Sequence, residues 1–186
     1  MLDLAIYHIQ ELQSIYSKII VKEKYMYSLY EPFIDYFLSI EGSDNERVQC
    51  VSVDEKTNTL NGYLDARINR MHNFVEQLII INFHEKGNFL KSIDLFCFLD
   101  DLLNKRKFRK IIFSAISDNP ATKMYNKYLV NKYKIAKHSG HYKEHFILRD
   151  GAFYDLDVFE IFPENLNQFL TKYKMHKYIA KQKAYK

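Results

Sequence analysis

Tryptophan is absent from this sequence, and proline (three residues), glycine (five) and cysteine (two) are scarce. Two cysteines exclude a disulfide-stapled scaffold. Cys50 lies in an apolar strand-like run and Cys97 in an apolar helix-like run, so both read as buried free thiols in a reducing compartment. So little glycine and proline excludes collagen-like and low-complexity architectures. No run reaches the roughly 18 apolar residues that a membrane-spanning helix needs. Acids and amides interrupt residues 1–22, so no signal peptide is expected and the chain reads as cytoplasmic. There is no P-loop, no Cys-x-x-Cys pair and no Ser-His-Asp order, which removes the commonest nucleotide, metal and acyl-enzyme signatures.

What the chain does have is rings and lysine. Fifteen tyrosines and fourteen phenylalanines in 186 residues, with 47% hydrophobic residues overall, supply an aromatic-rich core of one domain. The formal net charge of +4 is concentrated at one end. The segment "KYKMHKYIAKQKAYK" (172–186) holds six lysines and no acid, so the preceding body is slightly acidic. Tyr173, Tyr178 and Tyr185 alternate with those lysines. The tail therefore reads either as a solvated, frayed terminus or as a contact for nucleic acid or an acidic partner.

Periodicity orders the elements. Leu2, Ala5, Ile9, Leu12, Tyr16 and Ile19 recur at helical steps, and a second helix is expected to open at Glu31-Pro32. "EGSDNE" (41–46) is a loop. "RVQCVSV" and "LNGYLDARI" read as an antiparallel hairpin over 47–68. "NFVEQLIIINF" (73–83) is a long central strand, apolar enough to be covered on both faces. A helix follows with Leu90, Ile93, Phe96, Cys97, Leu99 and Leu103 on its buried face. "KIIFSAI" (110–116) is a buried strand, and Pro120 starts another helix. "KYKIAKH" and "HFILRDGAFYDLDVFEI" supply two or three strands around an Arg-Asp-Gly turn. A last helical pattern begins at Pro163. The expected fold is α/β (α+β): a single mixed, mostly antiparallel sheet with helices on both faces. Its expected parts are an N-terminal helical segment (1–45), a core (46–162) and a basic C-terminal segment (163–186).

"SDNPATKMYNKYL" (117–129) concentrates the chemistry. Asp118 or Asn119 is a natural N-cap, and Pro120 suits the first helical position. Asn119 and Tyr125 can both project from the end of the sheet. "DNPATKMYNKYLVNKYKIAKH" after a buried strand resembles the fourth-helix segment of the GNAT superfamily of acyl-CoA N-acyltransferases, and "RDGAFYDLDVFEI" resembles its last strand. The resemblance covers roughly 46–162. It implies acetyl-CoA as cosubstrate and a small-molecule or protein amine as acceptor. It places Asn119 on the cofactor arm and Tyr125 as the acid that protonates the departing thiolate. An amide of the central strand, around 81–83, would polarise the thioester carbonyl. Asn82 and Phe83 are therefore counted as cofactor-binding.

The family's pyrophosphate loop falls on "HEKGNFLKSID". Lys86 and Gly87 match its start, but Phe89 and Lys91 stand where small residues are usual. Two readings follow. The amides and charges of Lys86, Gly87, Asn88, Phe89, Leu90, Lys91 and Ser92 hold phosphate without the glycines, or Phe89 fills the cradle and coenzyme A binding is lost. The first gives an N-acetyltransferase acting on a primary amine by direct attack. The second gives a non-catalytic binding or structural module on the same fold. For the base, His138 of the group His138, His141 and His145 is one candidate and Glu76 on the central strand is the other. The histidine spacing matches no compact zinc motif, and no metal is expected.

Overall fold

In the computed structural model, residues 1–18, 24–26, 39–40, 46–83 and 92–180 are described. Seven strands form one sheet: β1 (Leu2–Leu4), β2 (Arg47–Val53), β3 (Leu60–Asn69), β4 (Phe74–Asn82), β5 (Ile111–Ile116), β6 (Ala136–Ile147) and β7 (Phe153–Ile161). Their order across the sheet is β1-β2-β3-β4-β5-β7-β6. Every neighbouring pair is antiparallel except β4 and β5. The mixed, mostly antiparallel sheet expected from the sequence is the one observed.

Among the described residues the α-helices are α1 (Ile9–Lys18), α2 (Ile93–Asp100), α3 (Pro120–Met124), α4 (Pro163–Lys172) and α5 (His176–Ile179). A 3₁₀ turn, Ala5–His8, leads into α1. Strand alternation sends Cys50, Leu64, Leu78, Phe113 and Phe159 to one face, where they pack with Leu95, Leu99, Leu129, Leu166 and Phe169. Val51, Val53, Tyr63 and Phe83 leave the opposite face and meet Ala5 and Leu12. Cys50 and Cys97 are buried thiols outside any disulfide, and burial pushes the Cys97 thiol up to about 12. The basic C-terminal segment starts as core: α4 buries Leu166, Phe169 and Leu170.

Two sequence expectations shift. Leu2–Leu4 is a strand paired with Cys50–Ser52, not the first turn of a helix. Three residues carry too little helical periodicity to outweigh an open sheet edge. The central strand is also less covered than its composition suggests, with Ile79, Ile80 and Ile81 only half-buried, because the sheet parts beside them. Of the expected helix at 31–40 only Ser39 and Ile40 are described, and they are not helical; of the expected loop at 41–46 only Glu46 is described, in a turn. The rest of both, and residues 181–186 of the tail, lie outside the described residues.

Candidate active site

β4 and β5 are joined only at their beginnings. Val75↔Ile111 is their one Cα partner pair. The amide of Val75 donates to Lys110 at 3.0 Å and that of Arg109 to Asn73 at 3.0 Å. The outer neighbours stay paired far further, β3 with β4 out to Gly62↔Asn82 and β5 with β7 out to Ile116↔Leu156. The two central strands therefore splay, and a cleft of about 180 Å³ opens between them. It runs through the sheet. Leu78, Ile80, Ala115, Ala121 and Tyr125 line it on the α3 side, and Gln77, Ile79, Ile81, Ser114 and Phe146 on the other.

A bulge opposite Arg67 and Ile68 sets which backbone groups face the gap. The Phe83 amide donates to the Asn61 carbonyl at 3.0 Å, toward β3. Two-residue alternation then turns the amides of Leu78, Ile80 and Asn82 toward β5. Of the two cofactor-binding candidates on this strand, Asn82 keeps its amide on the cleft side. Phe83 does not: its N–H is held by β3 and its ring is buried with Val51 and Leu60.

α3 is capped as its sequence demands. Asn119 Oδ1 accepts the Ala121 N–H at 2.8 Å, and Pro120 fills the first turn. Thr122 Oγ1 donates back to the Ile116 carbonyl at 2.7 Å, which ties the helix start to the end of β5. From Tyr125 to Lys132 the helix widens into π turns, with the Tyr133 amide reaching Tyr128 O. Tyr125 sits where the winding changes. Its ring packs edge-on against Phe113 and Phe159, at centroid distances of 5.4 and 6.1 Å. Its hydroxyl has no hydrogen-bond partner among the described residues, and burial alone raises its pKa to about 12. Asn119 and Tyr125 both line the cleft, as their spacing suggested.

The two candidate bases lie elsewhere. Glu76 is on the closed end of β4, paired with Arg67 Nε at 3.2 Å and accepting from Asn69 Nδ2 at 3.1 Å. His138 Nε2 is 3.0 Å from Asp157 Oδ1 on the β6–β7 edge. His141 puts Nδ1 2.8 Å from Asp157 and Nε2 3.1 Å from Asp155. Carboxylate oxygens only accept, so two carboxylate neighbours favour the doubly protonated ring of His141. The Asp157 hydrogen bond accordingly raises its pKa. Burial opposes ionisation of Asp157, but hydrogen bonds from the two histidines outweigh it and hold its pKa down. His145 stands apart, against the rings of Tyr142 and Phe146. Neither Glu76 nor His138 lines the cleft.

Ser92 is the N-cap of α2, its Oγ accepting the Leu95 N–H at 3.3 Å. Lys86, Gly87, Asn88, Phe89, Leu90 and Lys91 fall outside the described residues. Among described residues no group of three or more His, Cys, Asp or Glu side chains is arranged to hold a metal. No helix among the described residues is long and apolar enough to cross a membrane.

Of residues 24–26, Tyr25 flanks the other side of the cleft. Tyr25 lines it and donates to the Asp118 carbonyl at 3.3 Å. Lys24 pairs with Asp150 at 3.0 Å and lies 4.7 Å over the Tyr154 ring. The Tyr154 hydroxyl, and then Lys24, hold Asp150 at a pKa of about 2. Tyr25, Gln77, Ser114 and Phe146 did not stand out in the sequence. Alternation alone could not have found Gln77, because the bulge opposite Arg67 and Ile68 puts Val75 on the α3 side and Gln77 on the other.

Solved structures share this architecture. The spermidine N-acetyltransferase of Vibrio cholerae in complex with CoA and spermine superposes with a TM-score of 0.68 at 20% identity, covering 90% of this chain and 97% of that one. The chain has the GNAT fold. A point mutant of the same Vibrio cholerae enzyme, SpeG, gives a TM-score of 0.66 at 20% identity, with 93% and 97% covered. SpeG in complex with manganese ions gives 0.64 at 19%, with 92% and 95% covered. No protein-family model and no curated protein matches the sequence.

Proposed function

We propose that this protein is an acyl-CoA-dependent N-acyltransferase that transfers acetyl from acetyl-CoA to a primary amine by direct attack on the thioester. One observation carries the reading: the cleft where β4 and β5 part passes through the sheet and holds at its α3 side the Asn119 cap and Tyr125, whose phenol has no hydrogen-bond partner among the described residues. A thioester arm can lie between the parted strands as a substitute strand, held by amides of β4 that face the gap. The amine then approaches from the opposite face. That a GNAT-fold neighbour was solved with CoA and spermine supports both halves of this arrangement.

The proton balance follows from the environment. Attack by the neutral amine on the carbonyl carbon forms a C–N bond and an alkoxide, which collapses by breaking the C–S bond. The sulfur leaves as a thiolate and must gain a proton, while the amine nitrogen must lose one. Tyr125 at about 12 is fully protonated near neutrality. Giving its proton to a thiolate of pKa about 8.5 in a separate step would be uphill by about 5 kcal/mol. Donation is therefore coupled to C–S cleavage and to return of a proton from the nitrogen. Because Glu76 and His138 lie outside the cleft, the earlier step, loss of a proton from the incoming ammonium to give the neutral amine, is assigned to solvent reaching the acceptor face.

A thermal melt against acetyl-CoA concentration, followed by thiol release with an amine panel, tests the reading. Stabilisation should reach about 2.7 kcal/mol at a hundred times the dissociation constant. Absence of both stabilisation and thiol release would refute it in favour of a non-catalytic module.

A further inference from the structure

Resting on that reading, we propose that the acceptor is a monoamine carried on an apolar body, and not a polyamine. The face of the cleft away from α3 is walled by Tyr25, Ile79, Ile81, Ile116, Phe146 and Leu156, with Gln77 and Ser114 as its polar side chains. Two of the six are rings. Such a wall gains from burying hydrocarbon and offers a reacting nitrogen only neutral hydrogen-bond partners.

The charges on this face point the same way. A polyamine brings one or more further ammonium groups that remain cationic while the first reacts, and each needs a carboxylate to replace its water. Four described carboxylates on this face are already matched within the chain. Asp65 is gripped by Arg47, Glu76 lies 3.2 Å from Arg67, Glu160 is held by Lys110, and Asp150 lies 3.0 Å from Lys24. The last pair matters most. Lys24 stands at the rim, its ammonium 5.7 Å from the centre of the Tyr25 ring that lines the cleft. A distal ammonium passing Tyr25 would come near a like charge whose carboxylate is already paired. The acidity of the Asp155 and Asp157 pair lies on the opposite face and is occupied by His138 and His141.

The experiment uses the full chain. Acetyl-CoA-dependent stabilisation is measured first, and thiol release is then compared for phenethylamine, hexylamine, putrescine and spermidine. The inference expects kcat/KM for phenethylamine to exceed that for spermidine at least tenfold. Phe146→Ala should weaken apparent binding of phenethylamine, seen as a KM increase of about tenfold, while the KM for acetyl-CoA stays within twofold. Lys24→Ala, which unpairs Asp150, should improve kcat/KM for putrescine several-fold and leave phenethylamine within twofold. Stabilisation by acetyl-CoA with spermidine preferred, or with neither class turned over, overturns this inference and leaves the acyl-CoA reading standing. No stabilisation and no turnover overturns both.

Discussion

Replacing Tyr125 by phenylalanine removes one oxygen and nothing else. The ring keeps its edge-on contacts with Phe113 and Phe159, so no cavity forms and the packing cost is close to zero. The lost hydroxyl has no partner among the described residues, so no donor or acceptor is orphaned there. Tyr125→Phe is therefore expected to match the parent closely in stability. Turnover with acetyl-CoA and a good amine should fall about 10²–10⁴-fold, the usual worth of a positioned proton donor. That range corresponds to about 2.7–5.5 kcal/mol in the barrier.

The assay pairs melting temperature with initial rates of thiol release, and adds acetyl-CoA affinity from the melt titration. The expected signature is an unmoved melting temperature, an unmoved acetyl-CoA dissociation constant and a collapsed kcat. Burial holds Tyr125 at about 12, so the parent should also show no loss of rate from phenol ionisation up to about pH 10, the ordinary value for the free side chain. Unchanged kcat in the variant would refute the acid assignment. A large stability loss with intact turnover would refute the geometry as well, because it would require a hydrogen bond to this hydroxyl.

Asn119→Ala removes the cap on Ala121 and should cost about 1 kcal/mol in urea or thermal unfolding; if Asn119 also touches the cofactor arm, acetyl-CoA binding should weaken separately. Asp65→Asn leaves Arg47 buried without its carboxylate beside Tyr63 and Gln49, and loss of one partner of a buried pair should cost about 3–5 kcal/mol. His141 has a raised pKa, so its contribution is complete below the unfolded value of about 6.5 and fades as pH rises through the folded value. A melting-temperature profile from about pH 6 upward should therefore decline more in the parent than in His141→Gln; parallel profiles would remove this histidine as the source. Asp157, held low, gives the opposite limb, present above the unfolded carboxylate range and lost as pH falls through the folded value.

Much of the fold was legible because local chemistry and global architecture agree. "RVQCVSV" and "LNGYLDARI" alternate, and they pair as a hairpin. Gly151, with a φ of 75°, makes the turn that "RDG" announces, its amide returning to Leu148 at 2.9 Å. Asn119 and Tyr125 were legible for a second reason: an N-cap and a residue six positions on are fixed to one helix start, so their relation to the end of β5 needs no knowledge of distant contacts. The candidates that fall away from the cleft are those whose placement depended on another strand. Glu76 lies on the right strand, but the splay begins beyond it, and only the pairing of Val75 with Ile111 shows where the sheet is still closed. Phe83 follows three isoleucines in an apolar run, and only its bond to Asn61 shows that its amide faces away from the gap.

The histidine cluster shows the same limit from the other side. "HSGHYKEH" displays three histidines, yet bulges in β6 between His138 and Gly140 and between Tyr142 and Phe146 decide which of them meet. They bring His138 and His141 to one aspartate and send His145 to the rings of Tyr142 and Phe146. A bulge adds a residue to one strand without changing the alternation of its neighbour, so side-chain faces beyond it cannot be counted from sequence alone. The β4 bulge has the same consequence for the active site. It places Leu78 and Ile80 on the α3 side of the cleft and Gln77, Ile79 and Ile81 on the acceptor side. Under the proposed function, selectivity for the amine would thus be set by a one-residue offset in backbone pairing, upstream of the side chains that line the cleft.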